Sequence, residues 1–480
     1  MNHIIPVPKH YDCSDESLHS ISPSIRTEVA DWQTYLVAYR QMFHRIFETG
    51  LTANAPGGIE LILDGNVATD AYVLDSTDAI RIRSGGSEGM LYGLATVLQL
   101  ITAGENGLEV PSVHIEDHPD KEFRAFMFDP GFAIQPFRLL RKYVDLCFLY
   151  KVNYLHVHFA DNSFYTLPSK AFPDLPSKGH HYTYEQLKQF TDYASSLGIK
   201  IIPEFECPGH AELLNKRYRD VFGCHSETGS SEFYNELGEQ YSSDALLCAG
   251  SEKAFEGVKQ LLKEIVEMFP DAPYIHIGGD EAQHELWANC ADCQAYMKEH
   301  GITSTKELYG EYMGRVASYV LSLGKTPMVW EGFPKFTNHY IPKETVVIAW
   351  ESHYQLAPEL LEDGFKIINA SWQPMYLVSS LTRRWTPVDI LNWNVYNWQH
   401  WWPNSYAHLN PITVQPTEQV MGATLCAWGL NYEQLMSRLL ENMPAMSERV
   451  WTVERKRSFE EYYSAFKKVL KVGAALVQDN

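Results

Sequence analysis

Two patterns of apolar and polar positions divide the chain into a shorter first part and a longer second part. Within residues 59–118, the runs IELILDG, AYVLDS and AIRIRSG alternate apolar and polar positions, and the helix-like run SEGMLYGLATVLQLITAG follows them. Alternation with a period of two is typical of half-buried strands, and turn residues separate the three runs. The pattern predicts an N-terminal α+β domain over residues 1–118.

From about residue 122, apolar runs alternate with amphipathic segments such as FRLLRKYVDLCFLYK and AFEGVKQLLKEIVEMF. The amphipathic segments have the periodicity of helices with one apolar face. Eight apolar runs are the strand candidates: 123–129, 153–161, 199–206, 274–281, 327–332, 345–352, 366–372 and 421–429. Eight strands separated mostly by helices favour a closed parallel barrel over an open sheet. We therefore predict an α/β fold, with a (β/α)8 TIM barrel and C-terminal helices over residues 119–480.

Polar or aromatic residues stand at the ends of most predicted strands: Asp129, Asp161, Glu206, Asp280, Glu281, Glu331, Glu351 and Trp428. The carboxyl ends of the strands carry the chemistry in such barrels. The adjacent pair Asp280–Glu281 in YIHIGGDEA is unusual because neighbouring carboxylates repel each other. The pair can face one ligand only where the strand ends, and Gly278 and Gly279 give the backbone that freedom. A solvated loop is the alternative, and the preceding apolar strand argues against it.

Charge and composition exclude several classes of partner. The net charge of −21 argues against nucleic acid and anionic membrane surfaces,. Aromatic residues reach 13% of the chain, which suits a protein that stacks flat, partly apolar rings,. The N-terminus MNHIIPVPKHYDCSDES has no secretory signal pattern, and no apolar run is long enough to span a membrane,. We therefore expect a cytoplasmic protein without a disulfide framework.

Two carboxyl groups at the end of a barrel strand suggest glycoside hydrolysis. A retaining glycosidase usually places its two carboxyl groups across the scissile bond at ~5 Å, and adjacent residues are poorly placed for that. A different division of labour fits better. One carboxyl group protonates the leaving oxygen while the other holds a substrate group that attacks, which is substrate assistance.

Several motifs then resemble one family. HIGGDEA, His276 to Ala282, resembles the signature of family 20 glycoside hydrolases, the β-N-acetylhexosaminidases. FRAFMFD, YLHVHFAD and EFECPGH resemble the first three barrel strands of that family, and the 59–118 region resembles its small N-terminal domain. The resemblance implies the catalytic pair Asp280 and Glu281. It also implies a set of substrate-binding residues: Arg124, His158, Asp161, His210, Trp330, Trp350, Tyr376 and Trp428.

The resemblance implies an exo-acting, retaining enzyme that releases terminal β-linked GlcNAc or GalNAc from a glycan. The acetamido carbonyl of the bound sugar would attack its own anomeric carbon. Asp280 would orient the acetamido group, and Glu281 would protonate the glycosidic oxygen and then deprotonate water. Tyr376 would bind the acetamido oxygen within an aromatic box. Catalysis of this kind requires no cofactor.

The chain departs from the family pattern at four places. Phe132 stands where the family has a second arginine, and Glu206 where it usually has aspartate. Val378 and Leu430 replace an aspartate and a glutamate that hold O4 and O6 of the sugar in the family. Substitute ligands from neighbouring loops, or a shifted alignment there, would also account for these differences.

These departures leave two further hypotheses open. One is a related glycosidase specific for β-GalNAc or for O6-modified GlcNAc, such as a sulfated sugar that Arg383 and Arg384 could favour. The other is a non-catalytic sugar-binding homologue. Four residues expected to act on the sugar are present and argue against the latter: Asp280, Glu281, Arg124 and Tyr376.

Two clusters remain. Tryptophans gather in NWNVYNWQHWWPN (392–404), and we favour a sugar platform over a core role, with Trp398 as the remaining wall of the acetamido box. CADC (290–293) could be a redox pair, a metal knuckle or a chance occurrence. Because two more cysteines lie on the preceding loop, the four could gather as a structural zinc site: Cys224, Cys248, Cys290 and Cys293,.

Overall fold

The computed structural model describes residues 3–104, 107–224, 233–234, 240–241, 245–380 and 383–478. The first part of the chain forms one mixed sheet. Its strands are His10–Ile21, Ser24–Thr27, Thr52–Ala53, Ile59–Leu63, Tyr72–Ser76, Ile80–Ser84, Thr102–Gly104 and Gly107–Asp117. Helix α1 (Gln33–Phe47) packs on the C-terminal helix of the chain, and α2 (Ser87–Leu100) packs between the sheet and the helices of the second part.

The second part is a closed parallel barrel. Its strands are numbered β1 to β8 in chain order: Phe123–Phe128, Tyr154–His158, Lys200–Cys207, Tyr274–Gly278, Thr326–Trp330, Val346–Ala349, Lys366–Asn369 and Val420–Trp428. Each strand pairs in parallel with the next, and β8 pairs with both β7 and β1 to close the barrel. A short strand, Tyr376–Val378, adds to the outer end of β8. The predicted TIM barrel preceded by a small α+β domain is confirmed.

Helices surround the barrel. Those from α3 to α13 are Phe137–Leu149, Tyr184–Ser195, Glu212–Phe222, Glu252–Met268, Ala291–His300, Thr305–Ser322, Ala357–Glu362, Trp372–Met375, Pro387–Asn392, Tyr432–Trp451 and Phe459–Val477. Short 3-10 helices lie at Ala30–Trp32, His284–Asn289 and Lys335–Thr337. No helix in the described part of the chain is both long and apolar enough to cross a bilayer.

Side chains on the barrel strands alternate between the barrel interior and the surrounding helices. On β1, Phe123, Ala125 and Met127 belong to the interior cluster, whereas Phe126 and Phe128 pack against the helix layer. Both faces of the strand are apolar because a barrel strand is covered on both sides. The sequence of β1 therefore does not reveal which side chains point inward.

A buried polar network joins the two domains at the base of the barrel. Lys151, just after α3, places its Nζ atom 2.8 Å from Oδ2 of Asp117 in the N-terminal domain, and both side chains are fully buried. Tyr72 and Trp451 each donate a hydrogen bond to Asp117, at 2.9 Å. The Lys151 ammonium also lies 4.5 Å from the Trp451 ring centroid. Burial lowers the pKa of Lys151, and the Asp117 carboxylate opposes that effect.

Replacing Lys151 with methionine should lower the free energy of unfolding by about 3 kcal/mol, because it leaves the Asp117 carboxylate buried without its cation. The measurement is denaturant unfolding followed by tryptophan fluorescence. Lys188→Met is the control, since Lys188 pairs with Asp192 in the open, with side chains 68% and 62% exposed. That exposed pair should leave the unfolding midpoint nearly unchanged. Equal losses in the two variants would contradict a stabilising role for the buried network.

Candidate active site

The site forms where β4 ends, at the adjacent carboxylates Asp280 and Glu281. The backbone takes positive φ values there, +67° at Gly278, +94° at Gly279 and +45° at Glu281. A Cβ atom on Gly278 would lie 2.0 Å from Oε2 of Glu206, so only glycine allows this approach. A non-glycine residue at positive φ is uncommon, and such strain concentrates at functional sites. These torsions end the strand and bring both carboxylates to one side.

His210 connects the pair to a third carboxylate. Its Nε2 atom lies 3.6 Å from Oδ2 of Asp280 and 3.5 Å from Oε2 of Glu281, and its Nδ1 atom lies 3.1 Å from Oδ1 of Asp161. Burial lowers the pKa of His210, but the carboxylates of Asp161 and Asp280 outweigh burial and raise it well above the usual value. The imidazolium therefore offsets the repulsion between the adjacent carboxylates. The structure brings these predicted site residues together.

His158 lies deeper, between two other carboxyl groups. Its Nδ1 atom is 2.8 Å from Oδ1 of Asp129, and its Nε2 atom is 3.2 Å from Oε1 of Glu206. Since both ring nitrogens face carboxyl groups, neither is left to bind a sugar hydroxyl. The prediction that His158 binds substrate directly is therefore corrected. His158 is a positioning residue, and the edge of its ring supports Trp428 at a centroid distance of 4.9 Å.

Aromatic rings wall a pocket beside the pair. Trp330 lies 6.1 Å from Trp350 and 6.0 Å from Trp428, between ring centroids. Tyr376 stacks on Trp350 at 6.1 Å and on Trp372 at 4.5 Å. All five rings pack with the barrel-interior cluster. The structure therefore brings the predicted rings Trp330, Trp350, Tyr376 and Trp428 into one pocket, and Trp372, three residues after β7, extends it.

The floor of this pocket rests on a buried polar cluster. Trp330 donates its indole N–H to Oε1 of Glu204 at 2.5 Å. The same carboxylate lies 2.7 Å from Nδ1 of His276 and 2.9 Å from Nε2 of His156. Burial lowers the pKa of His156 to about 4, so this imidazole is neutral at neutral pH. The cluster fixes the plane of Trp330.

Several buried polar atoms around the pocket have no hydrogen-bond partner among the described residues. They include Oδ1 of Asp280, the hydroxyl of Tyr376 and the indole Nε1 of Trp428. Buried polar atoms are rarely left unpaired in folded proteins, so these atoms are available to bind a ligand or an ordered water. An acceptor and two donors lie here in an aromatic pocket. A secondary amide has the matching N–H and C=O groups.

Arg124 lies outside the site. Its side chain donates to the backbone carbonyls of Lys151 and Lys121 and to the hydroxyl of Tyr92, at distances of 2.5 to 2.8 Å. Its guanidinium also stacks over Trp451, 4.9 Å from the ring centroid. Alternation along β1 turns this side chain outward, toward the seam between the domains. The predicted role of Arg124 in sugar binding is therefore incompatible with the structure.

Trp398 is also placed elsewhere. Its side chain is fully buried in the core that packs the helices on the barrel, and its indole N–H donates to the carbonyl of Ala349 at 2.9 Å. It is therefore a core residue and not a wall of the acetamido box. Within 392–404, Trp401 is the half-buried ring near the pocket, 5.6 Å from Trp372.

Of the four departures from the family pattern, two bear on the sugar grips. Val378 is half-buried at the end of the short strand beside β8, in register with Trp428. Leu430 is buried in the outer core, and its carbonyl accepts a hydrogen bond from Gln135. The Leu430 side chain is therefore core, and Val378 is the departure that lies near the aromatic box.

Glu351 lies at the pocket. Its position in the sequence indicates a strand end but does not predict a role for it. Burial, followed by the charges of Glu281 and Glu331, raises its pKa to about 9. A protonated carboxyl group can donate a hydrogen bond to a sugar hydroxyl. His400 lies 3.7 Å from it through Nε2, and burial lowers the pKa of His400 to about 3. Both groups are therefore neutral at neutral pH.

Glu331, which also ends a strand, shapes a loop instead of facing substrate. Its carboxylate accepts backbone N–H groups from the segment after β6: Trp350, Ser352, His353, Tyr354 and Gln355. Its backbone carbonyl accepts the indole N–H of Trp350 at 2.9 Å. One side chain therefore fixes both the loop and the ring that forms a wall of the box.

The four predicted cysteines come together beside the site. Cys248 places its Sγ atom 3.6 Å from that of Cys290 and 3.7 Å from that of Cys293. The Sγ atom of Cys224 completes the group, and all four lie within 4.8 Å of one another.

Comparison with known proteins shows the family of the chain. The family model "Glycosyl hydrolase family 20, catalytic domain" matches residues 122–454, and "Glycosyl hydrolase family 20, domain 2" matches residues 2–118. A beta-hexosaminidase of Akkermansia muciniphila is 30% identical over 342 residues, which are 66% of this chain and 67% of that protein. A beta-hexosaminidase of Vibrio furnissii is 27% identical over 402 residues, 78% of this chain and 63% of that protein. The chain thus spans about two thirds of the length of these relatives.

Solved structures share the fold. An exo β-N-acetylglucosaminidase of Vibrio harveyi in complex with N-acetylglucosamine superposes with a TM-score of 0.85 at 22% identity, covering 98% of this chain and 77% of that one. A β-N-acetylhexosaminidase of Bacteroides fragilis gives 0.78 at 21%, covering 96% and 93%. Together with the family models, which span most of the chain, these findings identify it: the chain belongs to glycosyl hydrolase family 20.

Proposed function

We propose that this glycoside hydrolase is an exo-acting, retaining β-N-acetylhexosaminidase that releases terminal β-linked GlcNAc or GalNAc by substrate-assisted catalysis. One observation carries the proposal. Oδ1 of Asp280 and the hydroxyl of Tyr376 are both buried and lack partners among the described residues, within an aromatic pocket next to Glu281. An acetamido group supplies an N–H for the first and a carbonyl for the second.

The reaction follows from this placement. Tyr376 donates to the acetamido oxygen and Asp280 accepts from its N–H, which aims the oxygen at the anomeric carbon. As the carbonyl oxygen forms its bond to that carbon, the glycosidic bond breaks and Glu281 gives its proton to the leaving oxygen. The resulting oxazolinium cation lies beside the Asp280 carboxylate, and a dry site strengthens that attraction. Glu281 then takes a proton from the water that opens the ring, so configuration is retained.

A panel of chromogenic glycosides tests the proposal. β-GlcNAc and β-GalNAc glycosides should be cleaved, and a β-glucoside with the same leaving group should react close to the uncatalysed rate, because it lacks the internal nucleophile. A thiazoline analogue of the oxazoline should inhibit strongly. Cleavage of the β-glucoside as fast as the β-GlcNAc glycoside would refute substrate assistance. Tight binding of GlcNAc without turnover of any glycoside would instead indicate a non-catalytic sugar-binding homologue.

A second candidate, a preference for β-GalNAc or O6-modified GlcNAc, is favoured by the rim of the pocket. Half-buried Val378 provides no carboxylate to fix the orientation of O4, so an axial O4 is not penalised,. From Tyr376, aromatic rings continue through Trp372 to Trp401, and the Arg383 guanidinium lies 3.1 Å from the Trp401 ring centroid. The Arg383 guanidinium at the end of this row of aromatic rings suits a sugar that carries an anionic group on O6.

Arg383→Ala should lower kcat/KM for a 6-sulfated β-GlcNAc glycoside by about five-fold, which corresponds to about 1 kcal/mol, the net value of a typical hydrogen bond, and leave plain GlcNAc unchanged. The measurement is the ratio of the two kcat/KM values. Arg384→Ala is the matched control, because Arg384 is exposed and lies 3.9 Å from Glu441. If the wild-type enzyme cleaved only unmodified GlcNAc glycosides, the proposed preference for an O6-modified sugar would be wrong.

A further inference from the structure

We propose that Cys224, Cys248, Cys290 and Cys293 bind one structural zinc ion beside the active site. Zinc held by four thiolates has Zn–S bonds of ~2.3 Å in a tetrahedron, which places the sulfur atoms roughly 3.8 Å apart. The Sγ atoms of Cys248 and its two partners in the CADC motif are 3.6 and 3.7 Å apart. A disulfide requires ~2.05 Å, so these separations match a shared metal and not a covalent pair.

The backbone around the cluster fits the same ligand. Cys290 occupies the N-cap position of α7 (Ala291–His300), and Cys293 lies in its first turn. A helix N-terminus stabilises thiolates, which are the form that binds metal. Gly250 lets the opposite segment come close, because a Cβ atom there would lie only 2.5 Å from Cα of Cys293. Three of the four cysteines are buried, which protects such a site from solvent.

Four sulfur ligands define the class of metal and its role. Soft thiolate ligands in a tetrahedron suit zinc or iron, and they do not suit magnesium or calcium. A site with four protein ligands has no open position for water or substrate. The ion would therefore hold structure and take no part in hydrolysis. This inference does not rest on the proposed function.

The ion would tie together the two segments that carry the catalytic residues. Leu247, next to Cys248, donates its N–H to the carbonyl of Pro208, and its own carbonyl accepts the indole N–H of Trp287. Pro208 precedes His210 by two residues. Trp287 belongs to the 3-10 helix His284–Asn289, which follows Glu281 and leads to Cys290. Zinc would thus brace the turn of His210 against the segment after Glu281.

The first experiment measures metal in the full chain, purified without chelators or added metal, by mass spectrometry of the elements. We expect about one zinc ion per chain, as one closed four-thiolate site requires. A mercurial reagent that caps thiols should release it, as followed by a colorimetric zinc indicator. Protein refolded with cobalt should show the intense visible bands of tetrahedral cobalt thiolate. Metal-free protein with a disulfide among these cysteines, or stoichiometric iron, would overturn the assignment.

The second experiment uses variants. The double variant Cys290→Ser, Cys293→Ser should lose the zinc and melt at a lower temperature, and Cys13→Ser in the N-terminal domain is the matched control that should keep it. A double variant that folds and still binds one zinc per chain would overturn the proposal. If the double variant does not fold, the metal content and cobalt spectrum of the natural chain decide. A zinc-bound protein without hexosaminidase activity would uphold this inference and overturn the proposed function.

Discussion

Replacing Glu281 with glutamine should slow the hydrolysis of an alkyl or sugar β-GlcNAc glycoside by roughly 100- to 10,000-fold, the usual value of a positioned general acid and base. Glutamine keeps the size of the side chain but has no proton to give to the leaving oxygen. Positive φ at Glu281 aims this side chain at the pocket, and glutamine should adopt the same backbone. The measurement is kcat/KM with a poor leaving group.

The leaving group makes this result specific. A glycoside whose leaving group departs without a proton, such as a dinitrophenolate, should show a much smaller loss in glycosidic bond cleavage. Glu285→Gln is the control, because Glu285 lies four residues away and its side chain is 67% exposed. Equal losses for both leaving groups would show that Glu281 is not the acid.

Replacing Asp280 with asparagine should reduce kcat by roughly 100- to 1,000-fold, the range seen when one preorganised electrostatic partner of a transition state is removed. In the proposed mechanism this carboxylate accepts the acetamido N–H and faces the cation that forms when the ring closes. Asparagine keeps the shape and removes the charge. It also disturbs the contact with His210, whose Nε2 atom lies 3.6 Å from Oδ2 of Asp280.

This loss should be independent of the leaving group, because ring closure is impaired in either case. Substrates with good and poor leaving groups should therefore slow by the same factor, and the affinity for the thiazoline analogue should also fall. Asp271→Asn is the control, since Asp271 is exposed before the start of β4. If Asp280→Asn and Glu281→Gln showed the same leaving-group dependence, the division of roles between the two carboxylates would be wrong.

The barrel and the position of the adjacent carboxylates Asp280 and Glu281 could be predicted because both depend on patterns along the chain. Apolar runs separated by amphipathic helices define a parallel barrel, and polar residues at the ends of the runs define its reactive face. Gly278 and Gly279 indicated where β4 ends, and the structure has both at positive φ. Each of these signals is local in sequence.

Side-chain direction was harder to predict. Arg124 lies at the expected place on β1. Because this strand is apolar on both faces, its sequence does not indicate which side chains point into the barrel. The guanidinium instead pairs with Tyr92 in the other domain. That contact is between residues 32 positions apart, and no motif marks it.

The tryptophans show a related limit. Trp398 is fully buried and Trp372 lines the pocket, although both are tryptophans with similar polar neighbours in sequence. Trp398 is held in the core by the hydrogen bond from its indole N–H to the carbonyl of Ala349, a contact between residues 49 positions apart. Trp372 lies three residues after β7, and its position just past the end of a barrel strand is the signal that could have identified it. The sequence predicts the four cysteines as one group, and the structure brings their Sγ atoms within 4.8 Å of one another.

The pairing of Asp117 with Lys151 bears on whether the two domains are modular. A barrel separated from the N-terminal domain would keep the Lys151 ammonium and lose Asp117 and Tyr72, its carboxylate and hydroxyl partners. Arg124 would likewise lose the hydroxyl of Tyr92. The Lys151 ammonium would then lie without its carboxylate partner at the newly exposed base of the barrel. We therefore expect the two domains to unfold as one cooperative unit, although the sequence pattern changes sharply at the boundary between them.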